Sequence, residues 1–107
     1  MNSKTLALDF AVKSANLCRH LINDKNERLI SQKLFDMSAS LSGYAYSMNN
    51  PLLSKNDLAS LRKETSLLGA KISLLLDMLF DSAYISEAQK QSVSRTLSAL
   101  ITQLQKG

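Results

Sequence analysis

Few side chains among the 107 residues are equipped for chemistry. The chain has one cysteine and one histidine, Cys18 and His20. Two positions apart on a helix, they point about 200° away from each other, so they form neither a Cys–His nucleophile pair nor a shared metal site. Cys18 is expected to be a small core residue. His20 is expected on the surface near the end of the first helix, where positive charge is favoured. A single cysteine allows no internal disulfide, and a single histidine no His-rich metal cluster. A metal site inside a helical bundle needs inward carboxylates and a Glu-x-x-His pattern, which is absent here. Asp36, Glu64, Asp77 and Asp81 fall off the apolar stripes and are expected in solvent. There is no glycine-rich phosphate loop and no Gly-x-Ser-x-Gly elbow. Met37, Met48 and Met78 read as core or interface fillers. Tyr44 reads as a bundle-edge aromatic whose hydroxyl needs a partner or an outlet to water. No catalytic, cofactor-binding or metal-ligating residue is expected, and neither a cofactor nor a small-molecule substrate.

Charge offers one further possibility. Lys and Arg outnumber Asp and Glu by 13 to 9, a net +4. The excess sits at the two ends of the chain: Lys4, Lys13, Arg19 and Lys25 against Asp9 and Asp24, then Lys90, Arg95 and Lys106 against Glu87. In an up-down bundle the first and last helices are neighbours. Lys13, Arg19, Lys90 and Arg95 are therefore candidates for a modest basic surface facing nucleic-acid phosphates. No aromatic platform accompanies them, so readout of base sequence is not expected.

These side chains are carried by long amphipathic stretches. Apolar residues make up 45 % and charged residues 21 %, a globular balance. One proline, three glycines and many Leu, Ser, Ala and Lys favour helix over strand. From Ser54 to Ser82, Leu58, Leu61, Thr65, Leu68, Ile72, Leu75 and Leu79 recur at alternating steps of three and four, which keeps one stripe facing one way. Leu67, Leu74 and Met78 lie off that stripe, with Leu76 and Phe80 widening it, so this third helix must be covered on more than one side.

Residues 5–22 predict a first helix with Leu6, Phe10, Leu17 and Leu21 on one face. The polar run Asn23-Asp24-Lys25-Asn26 breaks it, and Asp24 with Glu27 predicts an acidic start for the next. Residues 26–48 predict a second helix with Ile30, Leu34, Met37, Leu41, Tyr44 and Met48 in line. Its other faces from Ser38 to Ser47 are small, and Gly43 costs about 1 kcal/mol of helix propensity against Ala. A close neighbouring helix or subunit is expected to offset that. Pro51 ends this helix, and Ser54 with Asp57 forms a capping box before the third. Ser86 with Gln89 caps a fourth helix, running to Gln105, with Val93, Leu97, Leu100 and Leu104 on one face. The expected architecture is all-α: one domain, residues 1–107, folded as an antiparallel up-down-up-down four-helix bundle. No apolar run is long enough to span a membrane, and the residues around Lys4 do not form a signal peptide, so a cytoplasmic protein is expected.

The chain resembles the four-helix-bundle proteins encoded in 23S rRNA intervening sequences, a family related to the accessory variability determinant of diversity-generating retroelements. The resemblance runs through Phe10-Ala11-Val12, Ile30-Ser31-Gln32-Lys33-Leu34 leading to Ser40-Leu41, Lys55-Asn56-Asp57-Leu58, and the Leu-rich run closing on Ala83-Tyr84-Ile85-Ser86. The family's Ala-Asn-Ile-Ala-Glu segment is here replaced by Ser42-Gly43-Tyr44-Ala45-Tyr46-Ser47, and no role is carried over from it. The resemblance implies an antiparallel bundle, a ring-shaped homopentamer and no enzyme activity. For the retroelement branch it implies contact with nucleic acid and a reverse transcriptase.

Two functions from different classes follow. The first is a non-enzymatic, self-associating bundle acting as scaffold or adaptor, with Gly43, Leu67, Leu74 and Met78 at the contact between copies. The alternative is a nucleic-acid-binding accessory protein using the basic residues named above.

Overall fold

The computed structural model describes residues 2–106. Its helices are α1 (Ser3–Asn23), α2 (Leu29–Ser47), α3 (Lys55–Asp81) and α4 (Glu87–Gln105), and the described residues contain no strand.

The helix starts follow their capping chemistry. The Ser54 hydroxyl accepts from the Asp57 amide at 3.0 Å while the Asp57 carboxylate accepts from the Ser54 amide at 3.2 Å. Ser86 and Gln89 repeat this reciprocal pair at 3.1 and 2.7 Å. Both boxes were expected, because each satisfies two amides that a helix end would otherwise leave unbonded. α1 begins at Ser3, two residues before the predicted start at residue 5, because the Asn2 side chain accepts from the Thr5 amide at 2.9 Å.

The start of α2 differs from expectation. The helix begins at Leu29, not at residue 26, and Asp24 does not cap it. Asn26 adopts a left-handed conformation, φ 52°, which a right-handed helix cannot include. Asp24 instead turns back onto α1, and the Glu27 carboxylate accepts from the Ile30 amide at 2.9 Å. The turn after α3 also uses a left-handed residue, Ala83 at φ 63°.

Cross-helix pairs set the directions. Ser31 meets Cys18 and Ser42 meets Ala7, so α1 and α2 are antiparallel. Lys13 meets Thr96 and His20 meets Tyr84, so α4 also opposes α1. Arg62 meets Leu104 and Lys90 meets Asp77, so α3 opposes α4. The result is the expected up-down-up-down bundle, 43 × 23 × 19 Å, in which each helix packs on its sequence neighbours and α1 closes the ring on α4.

The core is built on Phe10, Leu21, Leu34, Leu41, Ile72, Leu76, Leu79 and Leu100, all fully buried. On α3 the buried line is Thr65, Gly69, Ile72, Leu76 and Leu79, slightly rotated from the predicted stripe; Leu58, Leu61, Leu68 and Leu75 form its half-buried edge. α2 is rotated likewise. It buries Ser31, Leu34, Ser38, Leu41 and Ala45, while Ile30, Met37, Tyr44 and Met48 lie at the margin. Ser31, Ser38 and Ala45 face inward and let α1 and α2 approach closely, whereas Ala39, Ser40, Gly43 and Ser47 are exposed. Gly69 serves the same purpose between α3 and α4: a Cβ there would stand 3.0 Å from Ile101 Cδ1.

Candidate interaction surfaces

The polar groups inside the bundle hold helices together. The Ser31 hydroxyl donates to the Cys18 carbonyl at 3.2 Å, and the Cys18 thiol lies 3.5 Å from the Ser31 carbonyl. Burial pushes the Cys18 thiol above its ordinary pKa, and its hydrogen bond with Ser31 partly offsets this. Cys18 is thus an inert core residue, as its position on the apolar face indicates. The Ser14 and Ser38 hydroxyls, also between α1 and α2, are buried without a partner. Ser14 was not singled out from the sequence, and Ser38 only as a small residue off the apolar stripe, because a serine at a core position looks the same as one on a small-residue surface.

His20 is half-buried and links elements. Its Nδ1 lies 2.8 Å from the Asp24 carboxylate and its Nε2 lies 3.2 Å from the Tyr84 carbonyl, joining the end of α1 to the α3–α4 turn. The i, i+4 spacing from Asp24 was the signal available in the sequence. Among the described residues, no three His, Cys, Asp or Glu side chains gather where a metal ion could be held. Asp36, Glu64, Asp77 and Asp81 are all exposed.

The structure does not gather the four basic candidates on one surface. Lys13 and Arg95 line a shared cleft of about 710 Å³ between α1 and α4, which Glu87 also enters. The Lys13 ammonium is 3.1 Å from the Asp9 carboxylate and donates to the Thr96 hydroxyl at 2.8 Å. Lys90 turns the other way, to Asp77 at 3.0 Å, with its ammonium 4.8 Å from the centre of the Phe80 ring. Arg19 is exposed on the opposite flank of α1, continuing the line Leu8, Val12, Ala15.

Two apolar outer surfaces stand out. The first is a ridge on α3. Leu67, Leu74 and Met78 are 52, 60 and 44 % exposed, about half a helical turn from the buried line. The second was missed as a unit: a groove along the outside of α1 and α2. Leu8 and Val12 rim it on one side, Phe35 and Tyr46 on the other, and each is at least about half exposed. Ala11, Ala39, Ser42 and Gly43 lie between them. Gly43 is exposed, and a Cβ built on it meets nothing within 4 Å, so no helix of its own subunit requires the glycine. The groove escaped notice because its large residues come from two helices, in runs that look ordinary on each helix alone.

These features define an all-α up-down-up-down bundle with apolar outer faces. No family model matches the sequence, and no curated protein matches it. Among solved structures, the chain is similar to the crystal structure of a protein of unknown function from the S23 ribosomal protein family of Bacteroides thetaiotaomicron. The two share a TM-score of 0.87 at 20 % identity, over 95 % of this chain and 87 % of that one. The fold is therefore that of the 23S rRNA intervening sequence family, the one resembled in sequence. No helix of the described residues is long and apolar enough to cross a membrane.

Proposed function

We propose that the protein is a non-catalytic scaffold or adaptor that works as an assembly of identical copies. The observation that carries the reading is the α3 ridge: three large apolar side chains in line, facing water on the side away from the core. Scattered exposed leucines need no explanation, but three large apolar residues aligned on one helix face, with exposed Lys71 between Leu67 and Leu74, point to a contact surface. The family resemblance sets the expected assembly at five copies.

Light scattering on the purified protein at micromolar concentration tests this reading. An assembled particle is expected, and one that Leu74→Asp or Met78→Asp disperses. A particle of 11.8 kDa that persists on concentration overturns it.

The nucleic-acid reading draws less support. Lys13 and Lys90 each already face a carboxylate, and Arg19 points away from the cleft that holds Arg95. If phosphate contacts matter, affinity for RNA or DNA falls steeply with salt. No binding in filter assays at low salt removes that reading.

A further inference from the structure

We propose that the α1–α2 groove of one copy receives the α3 ridge of a second copy, with Leu74 and Met78 seated on the alanine floor and Asp81 brought to Arg19. This pairing rests on the self-association reading and adds which faces meet.

Shape is the first argument. The groove holds two hollows of about 300 and 310 Å³. One lies between Val12–Ala15 and Phe35–Ala39, the other between Ala7–Ala11 and Ser42–Tyr46. At about 1.5 Å per residue their centres stand roughly 6–9 Å apart. On the ridge, Leu74 and Met78 are about 6 Å apart along the helix and Leu67 and Leu74 about 10 Å. Large side chains on one face thus match small-floored hollows on the other, as in ridge-into-groove packing.

Charge is the second argument. Lys4, Leu8, Val12, Ala15 and Arg19 follow one line along α1, so the groove has a cation at each end. Leu67, Lys71, Leu74, Met78 and Asp81 follow one line along α3, so the ridge carries one cation near its start and ends in an anion. Arg19 and Asp81 are both exposed, and neither makes an ion pair among the described residues. An incoming α3 that runs parallel to α1 brings Asp81 to Arg19, whereas an antiparallel one brings it to Lys4.

Economy of burial is the third. The ridge and the groove lie on different sides of the bundle. A two-fold dimer through either face would leave the other apolar face in water, whereas a head-to-tail contact covers both.

A mixing experiment tests the pairing. Ala39→Glu blocks the groove and leaves the ridge; Leu74→Asp blocks the ridge and leaves the groove. Both positions are exposed, so both variants keep the helical circular-dichroism spectrum of the parent. Each alone is expected to be monomeric at a concentration where the parent is assembled. Mixed, they are expected to form a 1:1 heterodimer and nothing larger, by light scattering. Arg19→Glu and Asp81→Arg are each expected to weaken assembly by at least about two-fold, and the double reversal to restore it. An assembled parent whose face-blocked variants stay apart when mixed overturns the pairing and leaves self-association standing. So does a face-blocked variant that still assembles alone. A monomeric parent overturns both.

Discussion

Replacing Gly43 by alanine separates what the bundle needs from what its surface does. Gly43 lies inside α2, where glycine costs about 0.8–1.0 kcal/mol relative to alanine. Beyond its chain neighbours and the adjoining backbone of α2, nothing comes within 4 Å of the added Cβ, so no packing penalty from another helix opposes the gain. Gly43→Ala should therefore stabilise the isolated subunit by about 1 kcal/mol, which for a domain of this size raises Tm by about 4 °C or more. Gly69→Ala is the control. It carries the same propensity gain, but its Cβ would stand 3.0 and 3.1 Å from Ile101 Cδ1 and Cγ1, inside ordinary contact distance. Ile101 must shift, and overpacking of this kind costs about 1–3 kcal/mol. The expected order of stability is Gly43→Ala, then the parent, with Gly69→Ala no better than the parent. Urea and thermal melts followed by circular dichroism at low micromolar concentration measure it. If the two variants are equally stabilised, the close approach of α3 and α4 at Gly69 is not real. If Gly43→Ala is destabilising in the dilute protein, Gly43 has a neighbour within its own subunit. The groove adds a second signature: the benefit should shrink as concentration rises, because the new methyl group enters the surface proposed to seat a second copy.

Other outcomes follow from single positions. Ser38→Ala removes a buried hydroxyl that has no partner and should leave stability unchanged or raise it by about 1 kcal/mol in urea melts, against the usual loss for a core change. Phe10→Ala empties a fully buried site and should cost about 3–5 kcal/mol in the same assay. The raised pKa of Cys18 works in one direction. Above the ordinary thiol value of about 8.5, the unfolded chain loses a proton that the folded chain keeps, so stability falls as pH rises. The stability gap between the parent and Cys18→Ala should therefore narrow from pH 7.5 to 9.5 in urea melts, and a gap that widens would contradict the burial of the thiol. Ala83→Gly relieves a left-handed alanine and should raise Tm, with stability up by about 1 kcal/mol.

Much of this architecture is legible in the linear chain, because helix caps and apolar periodicity are local. Ser54 with Asp57 and Ser86 with Gln89 mark two helix starts correctly, since a capping box needs only residues three apart. The start of α2 is misread for the same reason: Asp24 and Glu27 have the right spacing, but Asp24 is claimed by His20 and Asn26 is left-handed, and neither fact is local to a capping pattern. The exposed ridge of Leu67, Leu74 and Met78 is visible as surplus on one helix, whereas the α1–α2 groove joins residues 8–15 to residues 35–46 and exists only once the two helices are side by side. The basic residues teach the same lesson in reverse. Their place on the first and last helices, neighbours in an up-down bundle, predicted a shared surface, but helix rotation sends Lys90 to Asp77 and Arg19 to the groove.

The order of residues alone determined four amphipathic rods, their short connections and hence their antiparallel closure, because those depend on periodicity and on how far a short loop can reach. Which serines turn inward, how far each rod is rotated about its axis, and which apolar side chains remain in water were decided by packing. Rotation depends on how neighbouring helices fit together, and that fit involves residues far apart in the chain.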